Sequence, residues 1–246
     1  MNRLDGRPGL LHKTGEPYRT VHKFMEPEIL PSDPMTAPEF SPRQNAVLGQ
    51  ALRLLVDGGE KALTTAGVAR AANCSKESLY KWFGDRDGLI AAMIAFQASK
   101  VRTFERDGER LNALSLKDHL VTFAHDLLDV LSGDVSLALN RLAVGQSSRD
   151  GSKLGEFLLE HGRRQIDRRA RALLDAGRRA GLLSFDDGEE AYRTLYGLIV
   201  SDMHVRMLLG EKPQGDFTQR AEKAVRAFLK LHGTEKTLTE AGISFL

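Results

Sequence analysis

The chain has 246 residues, with 35 Lys and Arg against 33 Asp and Glu, a formal net charge of +2 and a single cysteine. That length suffices for one or two domains with a buried core, one cysteine excludes an internal disulfide, and no Cys/His spacing fits a structural zinc. No stretch reaches the roughly 20 apolar residues of a membrane span and no secretory pattern opens the chain, so a cytoplasmic protein without a membrane partner is expected.

Seven of the eight prolines fall within the first 42 residues. Proline lacks a backbone donor and restricts the residue before it, so residues 1–40 read as an extended or disordered tail. A translation start at Met25 or Met35 is the alternative reading of the same stretch. From Ser41 onward apolar residues recur every three or four positions, strand-like alternation is missing, and Gly, Asn or Asp punctuates the chain at helix-length intervals. The fold class expected is all-α, with about nine helices.

The first helix has Ser41 as N-cap and Pro42 at its first position, buries Val47, Ala51, Leu54 and Leu55, and stops at Gly58 and Gly59. Further helices are predicted from Thr64 to Ala72, Ser75 to Phe83, Arg86 to Arg106, Leu116 to Leu131 and Ser136 to Gln146. Three more run from Lys153 to Ala180, Gly188 to Leu209 and Asp216 to Leu231. Asp186 is the expected cap of the eighth, with Glu189 closing a capping box. That role accounts for Asp186, Asp187, Glu189 and Glu190 without acid-base or metal chemistry. Residues 234–246 read as a C-terminal tail.

Charge is distributed unevenly along the chain. Residues 1–40 hold 5 Lys and Arg against 6 Asp and Glu, residues 41–100 hold 8 against 5, and residues 101–246 hold 22 against 22. The basic excess therefore sits in residues 41–100, the stretch that contains residues 63–90, where two short helices flank a tight turn. Thr64 or Thr65 caps the first, and Val68, Ala69 and Ala72 give it a small-residue face for a close crossing. Asn73 suits a left-handed turn, and Ser75 caps the second helix. Leu79 and Phe83 point inward, leaving Lys76, Glu77, Ser78, Tyr80 and Lys81 on a face suited to phosphates and base edges.

The run Ser75-Lys76-Glu77-Ser78-Leu79-Tyr80-Lys81-Trp82-Phe83, followed by Arg86 and Leu89, resembles the helix-turn-helix of the TetR family of bacterial transcriptional regulators. The resemblance implies a helix-turn-helix DNA-binding domain over 41–88 and a helical ligand-binding and dimerisation domain over 89–233. Thr64, Thr65, Ser75, Lys76, Glu77, Ser78, Tyr80, Lys81 and Arg86 are the DNA-contact candidates it implies, with Tyr80 and Thr65 as phosphate clamps and Arg86 in the place of the usual Lys. Glu77 departs from the small residue usual there. It would accept from a cytosine amino group or repel phosphates. Asn73-Cys74 replaces the commoner Gly-Val turn, and Cys74 reads as a small hydrophobe rather than a redox sensor.

The segment from Leu137 to Gly210 resembles the AefR-like C-terminal domain. It implies a homodimer through the last two long helices, with stripes of Leu195, Leu198, Ile199 and Val205 on one and Ala221, Val225 and Leu229 on the other. Two-fold symmetry predicts a near-palindromic operator on double-stranded DNA. An unknown small-molecule effector would sit between helices, the candidates being Phe123, Phe157, His161, Tyr192, Tyr196, Met203 and Met207. His204 reads as a core or interface histidine. Seven arginines between Arg163 and Arg179 read as a solvated face, with a second nucleic-acid surface as the alternative. No cofactor, metal or catalytic residue is expected: no Ser/His/Asp order, phosphate loop or zinc spacing occurs. The function expected is repression relieved by a ligand. The alternatives are an activator, a nucleoid-type DNA-binding protein without a ligand, and an enzyme with a DNA-binding appendage.

Overall fold

A computed structural model of the chain describes residues 40–102, 104, 111–148, 153–212 and 216–244. The expected tail over 1–40 lies outside the described residues except for Phe40, whose ring packs edge-on against Phe96. Among the described residues there is no strand. A single antiparallel bridge joins Leu183 and Gly233.

The first unit is built from α1 (Pro42–Ala62), α2 (Thr65–Ala71), α3 (Lys76–Phe83) and α4 (Arg86–Ala98). Ser41 accepts from the Gln44 amide and the Gln44 side chain returns the bond to the Ser41 amide, a reciprocal cap with Pro42 just inside it. The predicted stop at Gly58 and Gly59 is a bend instead: Gly59 sits at φ +64°, where a side chain would be strained, and the helix resumes to Ala62. Val47, Leu48, Val68, Leu79, Phe83 and Met93 form the centre of this unit's core.

The second unit contains α5 (Ala113–Ser132), α6 (Asp134–Gln146), α7 (Leu154–Phe157), a π-helical turn (Leu158–Arg163), α8 (Arg164–Arg179), α9 (Gly188–Val200), α10 (Met203–Leu208), α11 (Phe217–His232) and α12 (Glu235–Glu240). Its core is an α5–α9–α11 stack closed by α8, with Leu116, Leu127, Leu174, Leu195 and Phe228 at the centre. The two cores touch through shared helices. Leu139 and Ala143 of α6 and Leu154 of α7 pack into the first core.

Several expectations need correction. The division at 88/89 falls inside a packed helix, because Leu89, Ile90, Met93 and Ile94 of α4 belong to the first core. The helix expected to run to Arg106 ends at Ala98, and its predicted end at Arg106 lies outside the described residues. The helix expected from Gly188 to Leu209 breaks at Ser201, which adopts φ +48°. Asp187 rather than Asp186 caps α9, accepting from the Glu189 amide. The supposed C-terminal tail carries α12, whose Leu238, with Ala241 and Ile243 beyond it, is part of the core. Thr237 is fully buried and donates its hydroxyl to the Leu182 carbonyl at 2.8 Å.

Four helix ends share one physical device. The last carbonyls of a helix have no partner within it and carry the negative end of its dipole. Arg43 donates to Ala72 and Asn73 after α2, and Arg169 to Ala98 and Val101 after α4. Arg220 donates to Ile199 and Val200 at the end of α9, and Arg141 to Met207 and Leu208 at the end of α10. Each guanidinium comes from a different helix, so the length of each helix is set by a neighbour.

Candidate nucleic-acid interface and ligand pocket

The turn between α2 and α3 is made by Asn73 at φ +47°, with the Cys74 amide donating back to the Ala69 carbonyl at 2.9 Å. Thr64 caps α2 by accepting from the Gly67 amide, and Ser75 caps α3 by accepting from the Ser78 amide, both at 3.0 Å. Cys74 is half-buried beside the first core, as a small hydrophobe in this turn should be. Gly88 answers a steric demand at the start of α4. A β-carbon there would lie 2.0 Å from the Phe83 carbonyl oxygen, so α4 could not leave α3 at this angle with any larger residue.

With Leu79 and Phe83 buried, α3 presents Lys76, Glu77, Tyr80 and Lys81 to solvent, and Tyr80 is 54% exposed. Thr64 and Ser75 are exposed at the two helix starts, and Thr65 and Ser78 are half-buried beside them. Its own backbone amide and the Ser75 hydroxyl hold the Glu77 carboxyl below the usual carboxylate value, so it stays charged at the start of α3. Arg86 stands apart from the rest of the set: its guanidinium pairs with Glu60 at 3.2 Å. Glu60 also accepts from the Gln146 amide of α6, which joins α1, α4 and α6 beside the Gly59 bend.

A pocket of about 140 Å³ opens between α4, α5, α6, the π turn, α8, α9 and α10. Ile94, Leu127, Leu139 and Ile166 give it apolar walls, and Gln97, Asn140, Arg163, Tyr192, Tyr196 and His204 supply polar groups. Among the described residues, Gln97 Oε1, Tyr192 OH and His204 Nε2 are buried without a hydrogen-bond partner. Burial pushes the Tyr192 phenol up and the His204 imidazole down, so both are neutral near pH 7. The Arg163 guanidinium stacks on the Tyr196 ring at 4.5 Å. In a wider cleft near Lys100 and Asp134, two of the acids are engaged already: Asp126 with Arg102 and Asp129 with His125.

Of the seven ligand candidates, Tyr192 and Tyr196 line the pocket. Phe123 is buried in the second core and faces a small crevice beside Arg169. Phe157 packs on the first core with its ring 6.0 Å from His161, and neither lines the pocket. Met203 packs on the second core and Met207 is buried away from the pocket. The break at Ser201 causes part of this: α10 starts on a new heading and offers His204 instead of the methionines. Sequence reasoning missed Gln97, Asn140 and the structural Arg43 and Glu60. For Gln97 a signal existed, a polar residue on the otherwise apolar run from Leu89 to Ala98.

The arginines of the π turn and α8 are mostly engaged within the body. Arg164 and Arg168 pair with Glu160, Arg171 with Asp167 and Arg178 with Asp175, while Arg169 is only 6% exposed.

A short helix pair with an exposed basic reading face, mounted on an all-helical body, defines a helix-turn-helix transcriptional regulator. The family described as bacterial regulatory proteins, tetR family, matches residues 47–93, and the AefR-like transcriptional repressor C-terminal domain matches residues 118–234. A TetR transcriptional regulator from Agrobacterium tumefaciens is 75% identical, with TM-score 0.73 over 82% of this chain and 100% of that one. The chain belongs to the TetR family. A TetR-family regulator from Mesorhizobium loti MAFF303099 shares the fold at 20% identity, TM-score 0.61, covering 78% of this chain and 97% of that one. The flavonoid-responsive regulator FrrA does so at 24% identity, TM-score 0.56, covering 78% and 98%. Among curated proteins none matches this chain. No described helix is long and apolar enough to cross a membrane.

Proposed function

We propose that this TetR-family regulator is a cytoplasmic homodimeric repressor, released from a near-palindromic operator when a small molecule enters the pocket beside Tyr192 and Tyr196. The observation that carries the reading is the course of α4. Its first turn packs against α3, and its last turn, through Ile94, Gln97 and Ala98, is a wall of the pocket. Thirteen residues of one helix thus join the two sites, and a ligand that moves the far end biases the near one.

On this reading Lys76, Tyr80 and Lys81 contact DNA from the exposed face of α3, and Thr65 and Ser78 contact it from the adjoining helix starts. Thr64 and Ser75 serve first as caps, and Arg86 reaches a phosphate only by leaving Glu60. The dimer stripes need revision. Leu195, Ile199, Ala221, Val225 and Leu229 are spent in the monomer's own core, whereas Val205 and Leu209 stand exposed on and just after α10. The proposed dimer face therefore uses the outer surface of α9 and α10, with Leu198 and Val205 kept from the expected set.

The test is selection of genomic fragments on the purified protein, then titration of the enriched fragment with wild type, Tyr80→Ala and Lys76→Ala. Two half-sites about one helical turn apart, or a multiple of it, with binding weakened in both variants, are expected. Equal affinity for random DNA would overturn the reading.

A further inference from the structure

We infer that the pocket takes a neutral, single-ring aromatic molecule carrying two or more hydroxyl groups. The inference rests on the reading of this pocket as the effector site and names the chemistry that fills it.

Size sets the first limit. The pocket measures about 140 Å³, close to the roughly 150 Å³ of an engineered apolar cavity that admits benzene. One ring fills that space. The Tyr192 and Tyr196 rings, 6.0 Å apart and tilted by 54°, offer an aromatic guest edges and faces to pack on.

The polar atoms set the second limit. Gln97 Oε1 only accepts, while Tyr192 OH and His204 Nε2 each take part in one bond of either sense, and all three are unpaired among the described residues. A purely apolar guest would leave all three desolvated and unmatched. A carboxylate only accepts, so it leaves the Gln97 oxygen unmatched, and only the N–H edge of Arg163, whose face lies on Tyr196, is there to meet its charge. An ammonium group would find no Asp or Glu on the lining to balance its charge. A hydroxyl both donates and accepts, so two of them on one ring can answer an acceptor such as Gln97 Oε1 and a second polar group at once.

Calorimetric titration of the full chain with resorcinol, toluene, benzoate and decanoate tests this. Resorcinol is expected to bind at least about tenfold more tightly than the other three, and Gln97→Leu to weaken resorcinol about tenfold while sparing toluene. Where Gln97→Leu fails to fold, His204→Phe carries the same readout. Resorcinol binding no tighter than benzoate, toluene or decanoate, or unchanged in the folded variants, overturns the inference. Operator release is scored separately. A guest of another class that occupies the pocket and releases DNA overturns the ligand chemistry and leaves the effector reading standing. Resorcinol bound with unchanged operator affinity supports the chemistry and removes the effector reading.

Discussion

The guanidinium of Arg43 donates to the carbonyl of Asn73 at 2.7 Å, tying the first turn of α1 to the left-handed turn that aims α3. A second bond to Ala72 at 3.0 Å makes the contact a fork. The site is partly exposed, so water replaces some of what Arg43→Ala removes, and the loss in stability should be about 1 kcal/mol. Operator affinity should fall by more than that figure implies, because the reading helix loses its brace. Arg43→Lys should restore only part, since an ammonium cannot match the planar fork. Thermal melts and operator titrations check both. Wild-type affinity in a folded Arg43→Ala protein would remove the brace from the account.

Glu60 holds Arg86 and Gln146 together. The pair with Arg86 is half-exposed, so Glu60→Ala should change stability by less than about 1 kcal/mol. It should also free Arg86 to neutralise one more phosphate per subunit, steepening the dependence of log affinity on log salt by about one unit per half-site. Titrations at several salt concentrations measure the slope. An unchanged slope would mean that Arg86 already reaches DNA, or never does.

Truncation after Gly233 should destabilise the body. It exposes the cavity that Leu238 and Ile243 fill and removes the donor that Thr237 gives to Leu182. Burying two such apolar side chains contributes on the order of 3–6 kcal/mol as an upper bound, which corresponds to roughly ten degrees in melting temperature for a chain of this size. A shift of less than two or three degrees would show that α12 only rests on the core.

Acidification should weaken the fold through two histidines. Burial is the main cause that holds His161 and His204 below the ordinary value of 6.5, aided by Arg168 at the first and Arg163 at the second, while Glu160 opposes it at His161. A group depressed in the folded state adds stability above its unfolded pKa and loses it as the pH falls, so the loss begins near pH 6.5. Asp167, raised by burial, acts in the opposite sense at lower pH. Melting temperature should drop between pH 7.5 and 5.5, and drop less in His204→Phe. Equal drops in the two proteins would exonerate His204.

The reading helix was legible because its signals are local. Ser75 caps within three residues, Asn73 tolerates a positive φ, and Leu79 and Phe83 are four apart on one face. Helix ends in the body were not, because their causes are distant. Nothing near Ala98 marks a stop: Arg169, 71 residues on, takes its carbonyl. The break at Ser201 likewise accompanies Arg220, whose guanidinium donates to the carbonyls of Ile199 and Val200. The apolar stripes of the last two long helices were read as a seam between subunits, but periodicity does not say against what a face packs: Leu195, Ile199, Ala221, Val225 and Leu229 meet inside one subunit, and Val205 stands exposed on α10. The pocket was half legible for a related reason. Tyr192 and Tyr196 stand out as aromatics, whereas Gln97 and His204 gain meaning only once α4 and α10 face the same space.

The π turn at Leu158–Arg163 lets the helix hold an extra residue without losing its phase. A π segment is an α-helix with one residue inserted and its turns widened to absorb it, so the residues beyond keep the heading they would have in an unbroken α-helix. Deleting one residue within that turn would relax it to ordinary helix, leave Ile166 and Arg169 facing as they do now, and keep Arg169 on the end of α4. The change would fall on the wall built by Leu158, Leu159, Gly162 and Arg163. Gaps of one residue at this place, in other chains of similar design, would therefore mark a change in what the pocket admits while the body around it is kept.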